Sequence, residues 1–206
     1  KNSEKKYRML IETAPDAIYL ISSDGKIIEA NQSAANMLGV SREELQKYNI
    51  NDVDYYFTTE EFRDFWSKIP YNTTRVFETT HKRKDGNIIP VEISGQKFQI
   101  DNVDFNYGIA RNITERKRLD EILRESEQKH RFLFENTNFG IVYHSKNGEI
   151  VDANQAAADI LGLTIEQLTG KTSVDFRWHA IHEDGSPYPG EIHPAMISLK
   201  TGKPLR

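Results

Sequence analysis

Three histidines near the carboxyl-terminal end of the chain have the residue types that come closest to a metal site. His179, His182 and His193 lie in the segment HAIHEDGSPYPGEIH, together with several carboxylates. Imidazole and carboxylate groups are common ligands of zinc and related metals. Their spacing matches no common zinc motif, and Asp184-Gly185 and Pro187 in the same segment are typical of turns. The segment therefore predicts a turn-rich loop and no metal site.

Other residues that could carry out catalysis are scarce. The chain contains no cysteine, which excludes disulfides, thiolate metal sites and thiol nucleophiles. It has no Gly-rich phosphate loop, no serine-centred elbow and no Gly-Gly-Asp/Glu-Glu-Phe motif. His130 is followed by Arg131-Phe132-Leu133, without the Glu and nearby Pro that are typical of a phosphoacceptor histidine. We expect no catalytic activity in this segment.

Aromatic side chains are concentrated in the first half of the chain, where they could line a ligand cavity. Many fall between residues 55 and 66, a stretch that predicts short helices, and others lie on predicted strands. Aromatic rings with polar tips are common in small-molecule pockets, but a small domain also needs large side chains to fill its core. Both interpretations stay open. The predicted pocket residues are Tyr19, Tyr55, Tyr56, Phe62, Phe65, Trp66, Phe77, Phe98 and Tyr107.

The charge balance argues against nucleic acid as a partner. The 206 residues carry 27 Lys and Arg against 31 Asp and Glu, and the pI is about 5.9. Nucleic-acid binders usually present a basic domain or stripe. No apolar run approaches the roughly 20 residues of a membrane span. Because the chain also lacks a leader pattern and cysteine, we expect a cytoplasmic location and no membrane contact in this segment.

One stretch of the chain occurs twice. Residues 27–40 read IIEANQSAANMLGV and residues 150–163 read IVDANQAAADILGL, an ungapped offset of 123 positions. The similarity extends upstream to Tyr7 in the first copy and to His130 in the second. A period of this length exceeds that of solenoid repeats and indicates tandem domains.

Each copy has the same order of local signals. An apolar helical pattern is followed by two short β-rich runs separated by Asp-Gly or Asn-Gly, which predicts a hairpin. Asn31 and Asn154 then stand at the strand-to-helix corner. The side-chain oxygen of such a residue can accept a hydrogen bond from a free amide of the next helical turn. We predict that both asparagines are structural caps.

The first copy continues with three further β-rich runs, at 73–82, 88–100 and 103–113, joined by turn signals. Two strands, several helices and three strands predict an α+β domain with a five-stranded antiparallel sheet. The predicted organisation is a first domain with an N-terminal helix over 1–114, a helical linker over 115–129 and a second domain over 130–206. The second copy stops where its fourth strand is expected, so we expect it to be C-terminally incomplete.

The segment that joins the copies, residues 116–134, contains neither Gly nor Pro. Leu119, Ile122, Leu123 and Leu133 recur near heptad spacing, and opposite charges alternate on the other positions. This pattern predicts one continuous helix and not a flexible tether. The narrow apolar stripe fits either a weak coiled-coil seam or a helix that lies on a domain.

The ordered pattern resembles the PAS domain, the sensory module of many signalling proteins. The resemblance is carried in the first copy by DAIYLISSDGKIIEANQSAANMLGVSREEL, HKRKDGNIIPVEISGQKF and GIARNITERKRLDEIL, and in the second by GIVYHSKNGEIVDANQAAADILGLTIEQL and IHEDGSPYPGEIHPAMISLKTGKP. It implies the PAS fold in both copies: a five-stranded antiparallel sheet with helices on one face, around a small pocket or a packed core.

The resemblance implies a sensory role in signal transduction, in a parent such as a sensor histidine kinase. The module would detect a small ligand or a partner and pass the signal through its linking helices to a downstream output domain. PAS domains often end in an Asp-Ile-Thr corner; here Asn112 and Thr114 flank Ile113, so the usual acidic partner is missing. Homodimerisation is expected. The alternatives are a ligand-free pair for dimerisation and scaffolding, or a haem or flavin sensor of redox state or gas.

No cofactor is expected from the resemblance. Haem-binding PAS domains carry a histidine on the long helix that faces the pocket, and residues 58–68 contain none. Photoactive flavin-binding PAS domains use a cysteine, which this chain lacks. An unidentified small-molecule ligand stays open.

Overall fold

The computed structural model describes residues 2–172, 175 and 180–204. The chain divides into two compact units, residues 1–121 and 122–206. His179 lies outside the described residues. Within these ranges no group of three or more His, Asp or Glu residues is arranged to hold a metal ion. No helix in the described part of the chain is long and apolar enough to cross a membrane.

The first unit contains a five-stranded antiparallel sheet with the strand order β2-β1-β5-β4-β3. Its strands are β1 (Ala17–Ser22), β2 (Ile27–Ala30), β3 (Thr74–Lys82), β4 (Ile88–Ile100) and β5 (Val103–Asn112). Its helices are α1 (Asn2–Glu12), α2 (Gln32–Leu38), α3 (Arg42–Leu45), α4 (Ile50–Val53) and α5 (Thr59–Ser67). The predicted fold class is confirmed.

Turn and cap residues fix where these elements begin and end. Gly25 closes the β1–β2 hairpin at φ +86°, and a Cβ there would lie 2.9 Å from Asn49 Oδ1. Asp101 and Asn102 both have positive φ between β4 and β5, as a tight hairpin turn requires. Thr58 begins α5 with a capping box, in which its side chain and that of Glu61 satisfy each other's backbone amides.

The core of the first unit lies between the inner face of the sheet and helices α2 to α5. Alternate residues of β1, Ala17, Tyr19 and Ile21, are buried, as the two-residue period of a strand requires. Ala34 and Ala35 of α2 are fully buried, which lets that helix approach the sheet closely. The sheet and the helices thus form two layers around one core.

The second unit repeats the first elements of this arrangement. It contains β6 (Val142–His144) and β7 (Ile150–Ala153), which pair as an antiparallel hairpin, followed by α7 (Gln155–Leu161) and α8 (Ile165–Leu168). A short 3₁₀ turn (Gly190–Ile192) and α9 (Pro194–Thr201) follow. In the described part of the second unit the named strands form this two-stranded sheet alone.

Helix α6 spans Thr114–Asn136 without interruption. The helix predicted over 116–134 is therefore present and extends slightly beyond both predicted ends. Leu119, Ile122, Leu123 and Leu133 are each at least half exposed, whereas Phe134 is buried. The apolar stripe of α6 is thus largely uncovered within one chain.

Candidate functional site

A cavity of about 40 Å³ lies in the first unit between the inner face of the sheet and helices α4 and α5. Strands and helices of this unit contribute to its wall, so its shape depends on how the helical layer packs on the sheet. Its lining is mostly apolar, with a few polar side chains. The lining residues are Tyr19, Ile21, Ile27, Ile50, Val53, Asp54, Phe57, Phe62, Trp66, Phe77, His81, Ile93, Asn106, Tyr107 and Gly108.

The structure brings together only part of the predicted pocket set. Tyr19, Phe62, Trp66, Phe77 and Tyr107 line the cavity. Tyr19, Phe77 and the two α5 residues present their side chains to the inner side of the unit. Tyr107 lies between the inward-facing Asn106 and Gly108 on β5, so its side chain points to the opposite face of the sheet.

Tyr55 and Tyr56, which the sequence placed in the predicted pocket, do not line this cavity. They are 55% and 69% exposed, and their rings contact each other edge to face. Asp54 Oδ1 accepts hydrogen bonds from the amides of Tyr56 and Phe57, at 2.8 and 3.0 Å, which turns the chain sharply after α4. Phe57, and neither tyrosine, faces the cavity as a result.

Phe98 and Phe65 also lie outside the cavity lining. Phe98 stacks on Phe105 of the neighbouring strand, with ring centroids 5.9 Å apart. Gly95, on the same strand as Phe98, is buried beneath Trp66. Phe98 lies three positions further along the strand, so its side chain points to the opposite face. Phe65 packs against other rings of the unit but forms a second layer behind them, in contact with Phe57, Phe77 and Trp66.

Polar cavity residues were missed at the sequence level. Neither His81 nor Asn106 was singled out there. Both are 3% exposed, and Asp54 is 5% exposed. Strand alternation is the signal that could have identified them, because residues an even number of positions apart point to the same face. His81 lies four positions after Phe77, and Asn106 lies two positions before Gly108, and both of these residues line the cavity.

The titratable side chains of the cavity are held in uncharged form or fully hydrogen-bonded. Burial lowers the pKa of His81 to about 4, against a smaller opposing effect of the Asp54 charge. Burial raises the pKa of Tyr19, so its phenol keeps its proton. Asp54 Oδ2 accepts a hydrogen bond of 2.9 Å from the Thr79 hydroxyl, in addition to the two backbone amides at Oδ1.

The corner between β5 and α6 is closed by a neutral amide side chain. Asn112 Oδ1 accepts a hydrogen bond of 2.9 Å from the backbone amide of Thr114. The neutral side chain therefore still closes the turn that starts α6. The neighbouring Arg111 pairs with Asp16 at 2.8 Å, which ties the end of β5 to the segment before β1.

Four charged residues hold the first turn of α6 against the sheet; we call them the α6 clamp. Arg116 contacts both Glu78 of β3 and Glu92 of β4, the latter at 3.2 Å. Lys117 contacts Glu78 at 2.7 Å, and this contact lowers the pKa of the Glu78 carboxyl. All four side chains are partly exposed, so each pair alone contributes little to stability.

The clamp and the cavity share two neighbouring strands. Phe77 and Ile93 are paired across β3 and β4 and line the cavity. Glu78 and Glu92 form the next pair along the same two strands. Because successive strand residues point to opposite faces, the cavity wall and the clamp lie back to back on one piece of sheet.

Asn31 forms a buried joint that goes beyond its predicted capping role. Its Oδ1 accepts hydrogen bonds of 3.0 Å from the amides of Ile18 and Ala34. Its Nδ2 donates hydrogen bonds of 3.0 Å to the carbonyls of Ile11 in α1 and Asp16. One side chain therefore connects α1, β1 and α2.

Asn154 forms the same joint in the second unit. Its Oδ1 accepts from the amides of Ile141 and Ala157 at 2.8 and 2.9 Å. Its Nδ2 donates to the carbonyls of Phe134 and Phe139 at 2.8 and 2.9 Å. Because Phe134 belongs to α6, the end of the connecting helix is fastened directly to the second unit.

Two family models match the chain. One, described as PAS domain, covers residues 15–115, and the other, described as PAS fold, covers residues 128–188. The PAS domain of an HTR-like protein from Haloarcula marismortui has a TM-score of 0.52 and 28% sequence identity, over 54% of this chain and 93% of that domain.

Curated relatives include two kinases. The chain is 32% identical over 179 residues to sporulation kinase E of Bacillus subtilis (strain 168), covering 84% of this chain and 23% of the kinase. It is 28% identical over 185 residues to sporulation kinase A of the same organism, covering 86% of this chain and 30% of that kinase. The chain thus spans less than a third of the length of these relatives.

Proposed function

Because this chain belongs to the PAS family and carries two PAS domains in tandem, we propose that it is the sensory region of a larger protein with a histidine kinase output domain. As PAS domains, the two units are sensory modules and not catalytic ones. Similarity to two sporulation kinases supports a kinase as the output. In this proposal the first domain detects a small ligand or a partner, and α6 passes the signal onward.

The observation that carries the proposal is the back-to-back placement of the cavity and the α6 clamp. A guest that displaces Phe77 or Ile93 acts on the same two strands that hold Glu78 and Glu92. Folded strands transmit such a displacement because close-packed interiors deform little. A change in the cavity therefore alters the spacing of the clamp carboxylates.

The clamp is sensitive to that spacing because it joins two like charges. Glu78 and Glu92 are directly paired across β3 and β4, and like charges in such a pair repel each other. Arg116 lies on both carboxylates and offsets this repulsion only while the first turn of α6 is docked. Docked and released first turns are then two states that the cavity can bias.

The far end of α6 delivers the signal to the second domain through Asn154. Phe134 is buried, and its carbonyl accepts a hydrogen bond from the Asn154 amide. A shift of the helix end therefore pulls on β6 and α7 through one side chain. We propose the same domain limits as the sequence suggested, with the linker over 115–129.

We further propose that the protein works as a cytoplasmic homodimer without a bound cofactor. The exposed apolar side chains Leu119, Ile122 and Leu123 on α6 support a helix-to-helix contact between two copies. A ligand-free pair that serves dimerisation is the second candidate, and the small volume of the cavity, about 40 Å³, favours it over a haem or flavin sensor.

The test removes charge from the clamp in the full-length parent protein. Glu78→Gln combined with Glu92→Gln should change the autophosphorylation rate roughly fivefold or more, the lower range of allosteric couplings. The matched control is Glu60→Gln, an exposed glutamate of α5 outside the clamp. An unchanged rate in a folded clamp variant would rule out the clamp as the route of the signal.

A further inference from the structure

The first-domain cavity contains polar groups that the protein itself leaves unpaired. Among the described residues, the hydroxyl of Tyr19, Nδ1 of His81 and Oδ1 of Asn106 are buried without a hydrogen-bond partner. All three residues line the cavity and are less than 5% exposed. Buried polar atoms are nearly always hydrogen-bonded to protein or to ordered water, so a molecule bound here would complete the hydrogen bonds of these three groups.

The same lining offers no positive charge to a guest, and its one carboxylate is already hydrogen-bonded. The Asp54 carboxylate already accepts three hydrogen bonds, from the Tyr56 and Phe57 amides and from the Thr79 hydroxyl. Burial keeps the His81 ring neutral near pH 7 and keeps the proton on Tyr19. An anion would lose its hydration without gaining an opposite charge, which is strongly unfavourable. A cation would have to compete for the Asp54 carboxylate with the three donors that already bind it.

A missing side chain at Gly108 leaves space for the guest. Gly108 lines the cavity, and a Cβ added to it would meet no atom within 4 Å. Its register partner Gly95 differs, because a Cβ there would lie 2.6 Å from the Trp66 ring. Trp66 therefore covers one glycine of the pair, and the space over the other is open.

We propose that this cavity binds a small neutral molecule with a hydroxyl group, such as a short-chain alcohol. The proposal rests on the proposed sensory function of the first domain. A hydroxyl both donates and accepts, which suits the Asn106 carbonyl, the Tyr19 phenol and either tautomer of His81. One water needs roughly 10–15 Å³ of such a cavity, so a volume of about 40 Å³ admits only a few non-hydrogen atoms. The apolar part of the lining accommodates the alkyl group.

The test compares four probes of similar size on the full 206-residue chain by NMR titration. Methanol represents the neutral hydroxyl, methylammonium the cation, formate the anion and xenon the apolar guest. Methanol should give saturable shifts at Gly108 and at the side chains of Tyr19 and Asn106, and the other probes should not. Equal or stronger binding of xenon or of either ion, or no saturable shift with methanol, would overturn the proposal.

A cavity-filling variant locates the binding site. Gly108→Ala should abolish the methanol shifts, whereas Ser94→Ala on the neighbouring strand should preserve them. Methanol shifts that persist in a folded Gly108→Ala chain would also overturn the proposal, and the wild-type probe comparison decides it even if this variant fails to fold. The clamp experiment measures kinase output and needs no ligand. Loss of the methanol site with an intact clamp effect would therefore reject the ligand class and keep the proposed function.

Discussion

At the level of single residues, the side-chain amides of Asn31 and Asn154 each bind through both the oxygen and the nitrogen, which we call the oxygen half and the amide half. The oxygen half holds the strand and the following helix, and the amide half holds the helix that enters the domain. The capping half could be predicted, because it joins residues three positions apart. The amide half could not, since Asn154 and Phe134 are 20 positions apart and no local pattern connects them.

Asn154→Asp should separate the two halves. The carboxylate can still accept from the amides of Ile141 and Ala157, but it can no longer donate to the carbonyls of Phe134 and Phe139. We expect the free energy of unfolding to fall by about 1–3 kcal/mol, which is the cost of leaving buried polar groups unpaired. Amide exchange in the full chain should show the last turn of α6 exchanging faster while α7 stays protected.

The pH dependence of this variant provides its control. Once protonated, the carboxyl introduced by Asn154→Asp can donate one hydrogen bond, and burial raises the pKa of such a carboxyl. The difference in free energy of unfolding between this variant and the wild type should therefore become smaller as the pH falls. Asn154→Ala should instead lose protection in α7 as well, at any pH. If the α6 amides exchanged equally fast in Asn154→Asp and in the wild type, the hydrogen bonds of Asn154 would not fasten the end of α6.

His81 should make the first domain sensitive to acid. Its folded pKa of about 4 lies below the unfolded value of 6.5, so the unfolded chain binds more protons between these pH values. The free energy of unfolding should therefore fall as the pH drops from about 6.5 to 4, by roughly 3 kcal/mol for the full shift. Denaturant unfolding at a series of pH values measures this slope.

The comparison for His81 is His81→Gln, which cannot be protonated. In this variant the free energy of unfolding should no longer depend on pH between 6.5 and 4 through this residue. The acid sensitivity that comes from the carboxylates at lower pH should remain. An identical slope in both proteins would show that His81 does not titrate as its burial requires.

The aromatic residues show where sequence reasoning about a pocket fails. Composition identified a region rich in rings, but it could not tell which rings point inward. The hydrogen bonds of Asp54 decide the direction of Tyr55, Tyr56 and Phe57, and strand alternation decides that of Phe98. These are tertiary and register effects, which a single sequence does not specify at a loop or near a strand end.

At the level of elements, the helical structure of α6 was the most predictable feature of the chain. The contacts that hold α6 against the sheet were the least predictable. The absence of Gly and Pro predicted a continuous helix. The clamp depends on the exact pairing of β3 with β4, which places Glu78 opposite Glu92 far from Arg116 in sequence. Alternating charges on a helix are usually solvated, so nothing local distinguished Arg116 from its neighbours.

Two glycines inserted after Glu125 should interrupt signal transfer through α6. Glycine costs about 1 kcal/mol per residue in a helix, and the insertion also changes the register between the clamp and Phe134. We expect both domains to remain folded and the full-length protein to lose the stimulus response of its kinase activity. Circular dichroism and a phosphorylation assay measure the two parts.

The matched control inserts the same two glycines between Asp101 and Asn102, in the exposed turn between β4 and β5. This insertion lengthens a hairpin loop and should leave the response intact. A normal response with the α6 insertion would mean that α6 does not need to be a continuous helix for signalling.

At the level of the whole molecule, the asparagine joint accounts for the ungapped repeat. Every residue of the first joint has its counterpart 123 positions later, which keeps the same five groups in hydrogen-bonding positions. Each domain thus receives its entering helix in the same way. The pairs are Ile11 and Phe134, Asp16 and Phe139, Ile18 and Ile141, Asn31 and Asn154, and Ala34 and Ala157.

The central claim is that the cavity side of β3 and β4 controls the docking of α6 on their other side. Its most direct test is hydrogen–deuterium exchange of the α6 amides at 117–121 in the full chain, with α2 as the internal reference. Phe77→Leu, inside the cavity, should speed exchange there relative to α2, whereas Val76→Ala, on the exposed face of the same strand, should not. Unchanged α6 exchange in a folded Phe77→Leu chain would contradict the account.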